Sequence, residues 1–135
     1  MARTCVIAEA DPFIARLLER FAEESRLESV RARVGQEILD LARCLQPQVI
    51  IVDAELPGEM RGWEAVRELR AHHETCDIAV VSCSWLSKDD AVGLIGPIAG
   101  HLQKPDLHYS DFVTALNTAG VSMGQRLESS EASGQ

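Results

Sequence analysis

Glu9 closes the apolar run Cys5-Val6-Ile7-Ala8, and Asp53 closes a second run, Val49-Ile50-Ile51-Val52. Two carboxylates thus end two runs that have the length and composition of buried strands. If those strands are parallel neighbours, they lie roughly 4.8 Å apart. Their C-terminal ends then open on the crevice where open α/β sheets place their ligands. A carboxylate held there can bind a metal ion or act as a nucleophile. Ser82 follows Val80-Val81, and Lys104-Pro105 follows a further run, so a hydroxyl and an ammonium join the two acids. An ammonium suits an anionic phosphoryl oxygen, and a hydroxyl can donate to another. Each residue alone has a bland reading: an acid where the chain leaves the core, a serine that caps a helix, a solvated lysine. Their order on successive strand ends is what makes the four a candidate site.

The elements that must position them are legible in the spacing. Strand-like runs alternate with segments of helical period, the pattern of a parallel sheet with helices on both faces. Asp11-Pro12 supplies an N-cap and a proline at the first helical position, and Ile14, Leu17, Leu18 and Phe21 follow on one stripe. The same stripe recurs in Ile38, Leu41, Ala42 and Leu45 behind Gly35, and in Phe112, Ala115, Leu116 and Ala119 behind Ser110-Asp111. A helix across Trp63 to Ala71 and strands at Ser29–Arg33, Asp77–Ser82 and Gly100–Gln103 complete the pattern. The fourth helix is irregular: Ala91, Leu94, Ile95 and Ile98 carry its stripe, but Gly93, Gly96 and Pro97 interrupt it. Interior glycine costs about 1 kcal/mol against alanine and proline about 3. The expectation is a shortened fourth helix that stops near Ile95 and frays readily. Residues 1–121 are expected to form the domain and residues 122–135 a disordered tail, since the latter lack apolar residues at core spacing.

Composition bounds the function. A chain of 135 residues with 46% hydrophobic content can build one real core. The net charge of −8 argues against a nucleic-acid surface, which needs clustered Lys and Arg. No apolar stretch approaches the roughly 18 residues of a membrane span, and Met-Ala-Arg-Thr-Cys-Val lacks the apolar core of a signal peptide, so a cytoplasmic location is expected. Cys5, Cys44, Cys76 and Cys83 show neither CxxC spacing nor the density of a disulfide framework. They read as reduced and mostly structural.

The stretches Val-Ile-Ala-Glu-Ala-Asp-Pro at 6–12, Val-Ile-Ile-Val-Asp-Ala-Glu-Leu-Pro-Gly at 49–58, Ala-Val-Val-Ser at 79–82 and His-Leu-Gln-Lys-Pro at 101–105 carry a family resemblance. Across residues 3–121 the chain resembles the receiver domain of two-component response regulators. The resemblance implies a flavodoxin-like, doubly wound, five-stranded parallel sheet of order 2-1-3-4-5, with the site at the switch point between the first and third strands. It implies a single-domain phosphorelay protein, not an enzyme, in which Asp53 takes a phosphoryl group from a sensor histidine kinase or phosphotransfer protein and an unidentified output protein reads the result. Ser82 matches the hydroxyl that contacts the phosphoryl group, Lys104 the ion-pairing lysine, and His101 the aromatic position whose rotamer changes. Lys104-Pro105 matches the family's cis peptide, which proline permits at modest cost.

The main departure is Glu9-Ala10, where the family usually carries two acids. The second acid, which resembles the direct magnesium ligand, is here a methyl group. Magnesium demands near-octahedral oxygen coordination, so its binding is expected to weaken by more than the roughly 10–100-fold typical of outer-shell losses. Asp11 is shifted by one residue and should cap the first helix instead. The expected metal set is therefore Glu9, Asp53 and Glu55, the last a candidate replacement two residues past Asp53. The loop from Asp53 to Gly62 is one residue longer than is common in the family. Trp85, ahead of the fourth helix, is a candidate partner-binding anchor on the face built by that helix, the fifth strand and the final helix, through which receivers resembling this one commonly signal.

Three readings follow. The first is a phospho-accepting receiver with weakened magnesium binding, and the second a pseudo-receiver, a protein-interaction module acting without phosphorylation. The third is an aspartyl-phosphate hydrolase of the haloacid dehalogenase kind, which needs a second acid two positions past its nucleophile. Glu55 has that offset, but Asp53 lies on the third strand rather than the first, and there is no room for a cap domain. Flavin binding is weaker still, because no phosphate-cradling glycines follow Glu9.

Overall fold

All four residues of the strand Val49–Val52 are buried. A strand without polar alternation must be covered on both faces, which is the condition of a parallel sheet flanked by helices. A computed structural model, which describes residues 3–121, shows that arrangement. Strands β1 (Thr4–Ala8), β2 (Glu28–Ala32), β3 (Val49–Val52), β4 (Ala79–Ser84) and β5 (Gly100–Gln103) alternate with helices α1 (Pro12–Glu24), α2 (Gly35–Leu45), α3 (Gly62–Arg70), α4 (Lys88–Ile95) and α5 (Tyr109–Thr118). The strands are parallel, in the expected order β2-β1-β3-β4-β5. Ile7, Ile51 and Val81 pack with Leu18 of α1 and Phe112 and Leu116 of α5 on one face. Val6, Ile50, Val52 and Val80 pack with Ile38, Val66, Leu69 and Ile95 of α2, α3 and α4 on the other. Each large side chain buried in this way contributes about 1.5–3 kcal/mol of transfer free energy.

The capping chemistry holds as expected. The Asp11 carboxylate accepts from the backbone N–H groups of Phe13 and Ile14, and Pro12 occupies the first turn of α1. Helix α4 starts at Ser87, whose hydroxyl accepts from the Asp90 N–H, and stops at Gly96. The φ of Gly96 is +98°, a conformation that glycine adopts without the cost a Cβ would impose, and Pro97 cannot continue the helix. The short fourth helix thus ends at the residue the glycine-proline pair indicates.

Strand β2 and helix α3 each lie one residue earlier than expected and β4 starts two residues later, and two further boundaries differ in ways that bear on the site. Strand β4 continues past Ser82 to Ser84, because Cys83 pairs with Leu102 and Ser84 with Gln103 of β5. Ser82 therefore lies inside the strand rather than at its end. Helix α5 starts at Tyr109 behind His108, not behind Ser110-Asp111. The tail expected over 122–135 lies outside the described residues. Among the described residues no helix is long and apolar enough to cross a membrane. Cys5 and Cys83 are buried, and burial pushes both thiols up to about 12, so they stay protonated and inert.

Candidate functional site

Ala8 and Val52 are register partners, so Glu9 and Asp53, each one residue further, leave β1 and β3 side by side. The Asp53 N–H continues the ladder by donating to the Ala8 carbonyl at 3.0 Å. Lys104 stands one residue past β5, where its N–H donates to the Ser84 carbonyl at 2.8 Å and its bond to Pro105 is cis. Its side chain reaches both acids. Lys104 Nζ is 2.8 Å from Glu9 Oε1 and 2.9 Å from Asp53 Oδ2.

The three charges are unequally accessible. The side chains of Lys104 and Glu9 are 3% and 2% exposed, whereas that of Asp53 is 14% exposed. Only Asp53 opens to solvent. Glu9 Oε2 accepts from the Asp11 N–H at 3.0 Å, and Asp53 Oδ1 accepts from the Glu55 N–H at 2.9 Å. Each Asp53 oxygen still has a free lone pair, because a carboxylate oxygen offers two. Burial lifts Glu9 above the usual carboxylate range, outweighing the downward pull of Lys104 and the Asp11 N–H. Burial also pulls Lys104 down, but its bonds to Glu9 and Asp53 and their charges outweigh that and hold the ammonium above its ordinary value.

The loop after Asp53 is fixed by close packing. A Cβ at Gly62 would stand 2.0 Å from the Asp53 carbonyl oxygen, so the first turn of α3 sits against the Asp53 backbone only because residue 62 is glycine. The Trp63 N–H donates to the Ala54 carbonyl at 3.1 Å. Leu56 turns into the core and is fully buried, with Met60 packed against the same cluster.

A second cluster lies on the β4–β5 side. Ser82 pairs with Val52 on one flank and His101 on the other, is fully buried, and hydrogen-bonds to His101 Nδ1. His101 Nε2 faces the Leu86 carbonyl at 3.0 Å and Gln103 Oε1 at 3.2 Å. Gln103 Nε2 donates in turn to the Trp85 carbonyl at 2.7 Å, while the Trp85 side chain is turned outward and 62% exposed. The Ser84 hydroxyl accepts from the Leu86 N–H at 2.9 Å.

Of the residues singled out in sequence, Glu9, Asp53 and Lys104 are thus in direct contact. Ser82 and His101 form a neighbouring pair. Glu55 is exposed and reaches Asp53 through its backbone N–H rather than its carboxylate. Sequence reasoning missed Gln103 and Ser84. Gln103 had a signal, since it lies two residues from His101 in a strand and so shares its face.

The carboxylates do not assemble into a metal cage. Lys104 occupies the space between Glu9 and Asp53, Asp11 is spent on capping, and residue 10 is an alanine. Among the described residues no group of three or more His, Cys, Asp or Glu is placed to hold a metal ion. Among the described residues Glu9, Asp53 and Glu55 are therefore not gathered as a ligand set.

A sheet of order 2-1-3-4-5 with two acids at the switch point and a lysine across them defines a class. Residues 5–117 match the family model of the response regulator receiver domain, and the chain belongs to that family. It is a receiver domain of two-component signalling, not a member of a catalytic enzyme family, and membership implies a histidine kinase partner. The dehalogenase-like reading does not survive this assignment. The chain is 34% identical over 82 residues to the polar-differentiation response regulator DivK of Brucella ovis, a match covering 61% of this chain and 66% of that protein. It is similar in structure to a sensor protein from Polaromonas sp. JS666, at 25% identity and TM-score 0.77, covering 87% of this chain and 94% of that one. A receiver domain of a sensor histidine kinase from Pseudomonas aeruginosa PAO1, with a magnesium ion coordinated in its active site cleft, shares the fold at TM-score 0.76 and 18% identity, covering 89% of this chain and 99% of that one.

Proposed function

We propose that Asp53 accepts a phosphoryl group from a histidine kinase or phosphotransfer protein, within a domain spanning residues 1–121, and that magnesium binding to this site is weak. The observation that supports this reading is the lysine bridge, in which Lys104 contacts two carboxylates of which Asp53 alone reaches solvent. An Asp53 oxygen forms the new bond to phosphorus while the donor's P–O or P–N bond breaks, and the leaving group departs with the electron pair. Lys104 is already placed to bind a phosphoryl oxygen, and Ser82 is the candidate second donor. Glu9 holds Lys104 from behind. The location consistent with such partners is the cytoplasm, and the output partner is a protein rather than nucleic acid, given the net charge of −8.

The absent second acid at Ala10 favours a second reading, a pseudo-receiver that partners read without phosphorylation. Acetyl phosphate labelling followed by intact mass, with and without magnesium, separates the two. The phosphoacceptor reading expects one added phosphoryl group that disappears in Asp53→Asn. No added mass at any magnesium concentration leaves the interaction module.

A further inference from the structure

The hydrogen bonds around His101 assign its protons. Both acceptors opposite Nε2, the Leu86 carbonyl and Gln103 Oε1, lack a proton to give, and the Gln103 amide is oriented by its own donation to the Trp85 carbonyl. In the neutral ring the proton therefore sits on Nε2, leaving Nδ1 a bare lone pair. Only the Ser82 hydroxyl stands against that lone pair. Ser82 has one proton to donate, and at full burial no solvent shares the task. In this state the hydroxyl is committed to the imidazole, away from Asp53. When the ring is doubly protonated, Nδ1–H becomes a donor to Ser82 Oγ, and the hydroxyl proton is released to turn towards the crevice. The register places Ser82 beside Val52, the residue before Asp53.

We infer that His101 is a positioning residue for phosphoryl transfer, acting through Ser82: the neutral ring withholds the Ser82 proton from a phosphoryl group on Asp53, and the imidazolium frees it. This rests on the phosphoacceptor reading above. The charged groups that share its recess come from each neighbouring element. Lys88 of α4, Asp106 of the loop after β5 and Asp111 of α5 line the same recess as His101. Lys104, three residues on in the chain, is turned away to Glu9 and Asp53. With the ring doubly protonated, a phosphoryl group meets a second hydrogen-bond donor beside Lys104, and a hydrogen bond to a charged group changes an equilibrium by about tenfold or more.

The test uses the full chain. Nitrogen-15 NMR of the imidazoles at pH 8 should show His101 protonated at Nε2 and bare at Nδ1, and Ser82→Ala should perturb that Nδ1 signal. Initial rates of acetyl phosphate labelling in excess magnesium are then measured from pH 8 to 5.5 and divided by those of His101→Phe, which cancels the donor's own pH dependence. His101→Asn, polar but not titrating, serves as a second reference. The ratio should rise about tenfold as pH falls through the range in which imidazoles titrate, about pH 8 to 5, and Ser82→Ala should abolish the rise. A flat ratio with Asp53 still labelled overturns the role of His101 and leaves the phosphoacceptor reading standing. A proton on Nδ1 at pH 8 overturns it as well. Absence of labelling at every pH removes the phosphoacceptor reading and this inference together.

Discussion

The Glu9–Asp53–Lys104 cluster at the C-terminal ends of the strands and helix α4, which follows the C-terminal end of β4, are held in opposite ways. The cluster consists of three charges in contact, two of them almost wholly buried. Helix α4 buries only Ala91 and Ile95, and its C-terminal end is held by long side chains from α3. Arg67 lies over the Trp63 ring and donates to the Leu94 carbonyl at 3.1 Å, while Arg70 donates to the Pro97 carbonyl at 3.0 Å. Breaking the first arrangement leaves a buried charge unpaired, which is costly. Releasing the second returns partly exposed arginines and carbonyls to water, which costs less. A change of charge at Asp53 is therefore expected to appear as movement of α4 rather than of the strand ends.

The sharpest way to break this contrast is Lys104→Ala. It leaves Glu9 facing Asp53 without a cation, and the expected loss is about 3 kcal/mol or more in urea unfolding at pH 7, with the apparent titration of the acids moved upward. The pH dependence has a definite sign. Lys104 is held above its ordinary 10.5 in the fold, so its contribution is complete below that value and is lost as pH rises through the folded one. Glu9 is also raised, above 4.5, so what it contributes is complete below that value and falls as pH climbs through its folded one. The native protein should lose stability steeply on the alkaline side, and Lys104→Ala should lack that step. Equal midpoints for the two proteins would show that the cluster is not what holds the strand ends together.

Ala10→Asp is the next largest effect. It restores the missing carboxylate and should tighten magnesium at least about tenfold on the ligand-count argument, read by calorimetry with Trp63 and Trp85 fluorescence as a check. Unchanged affinity would mean that Lys104, not Ala10, limits the metal.

The smallest effects belong to α4. Hydrogen exchange should show residues 85–99 opening more readily than α1, α2 and α5. Arg70→Ala should lower the opening free energy there by about 1 kcal/mol. Trp85→Ala should change stability by less than about 0.5 kcal/mol yet weaken binding to a partner that docks on this face. Protection of 85–99 equal to that of α1 would remove the contrast.

What was legible in the sequence was local. The Asp11-Pro12 start of α1, the Gly96-Pro97 stop of α4 and the span of β5 all follow from residue chemistry within a turn or a strand. The meeting of Glu9 and Asp53 was also readable, because a parallel neighbour fixes where strand ends emerge. Strand β4 was misjudged at its end because Ser82, Cys83 and Ser84 look like an exit, and only the partner strand keeps them in the ladder. The Ser82–His101 bond depends on that same register, so no spacing along the chain announces it. The reach of Arg67 and Arg70 from α3 to α4 depends on side-chain conformations that periodicity does not encode.

The pairing of Glu9 with Lys104 also has a consequence for biosynthesis. It closes a loop that contains most of the domain, and such closure is entropically opposed until the intervening strands are in place. A nascent chain that has emerged through β3 already carries Glu9 and Asp53, but it lacks the cation that makes their proximity tolerable. The Glu9–Asp53–Lys104 cluster is thus completed only by the last strand to leave the ribosome, so a truncated or half-folded chain lacks it.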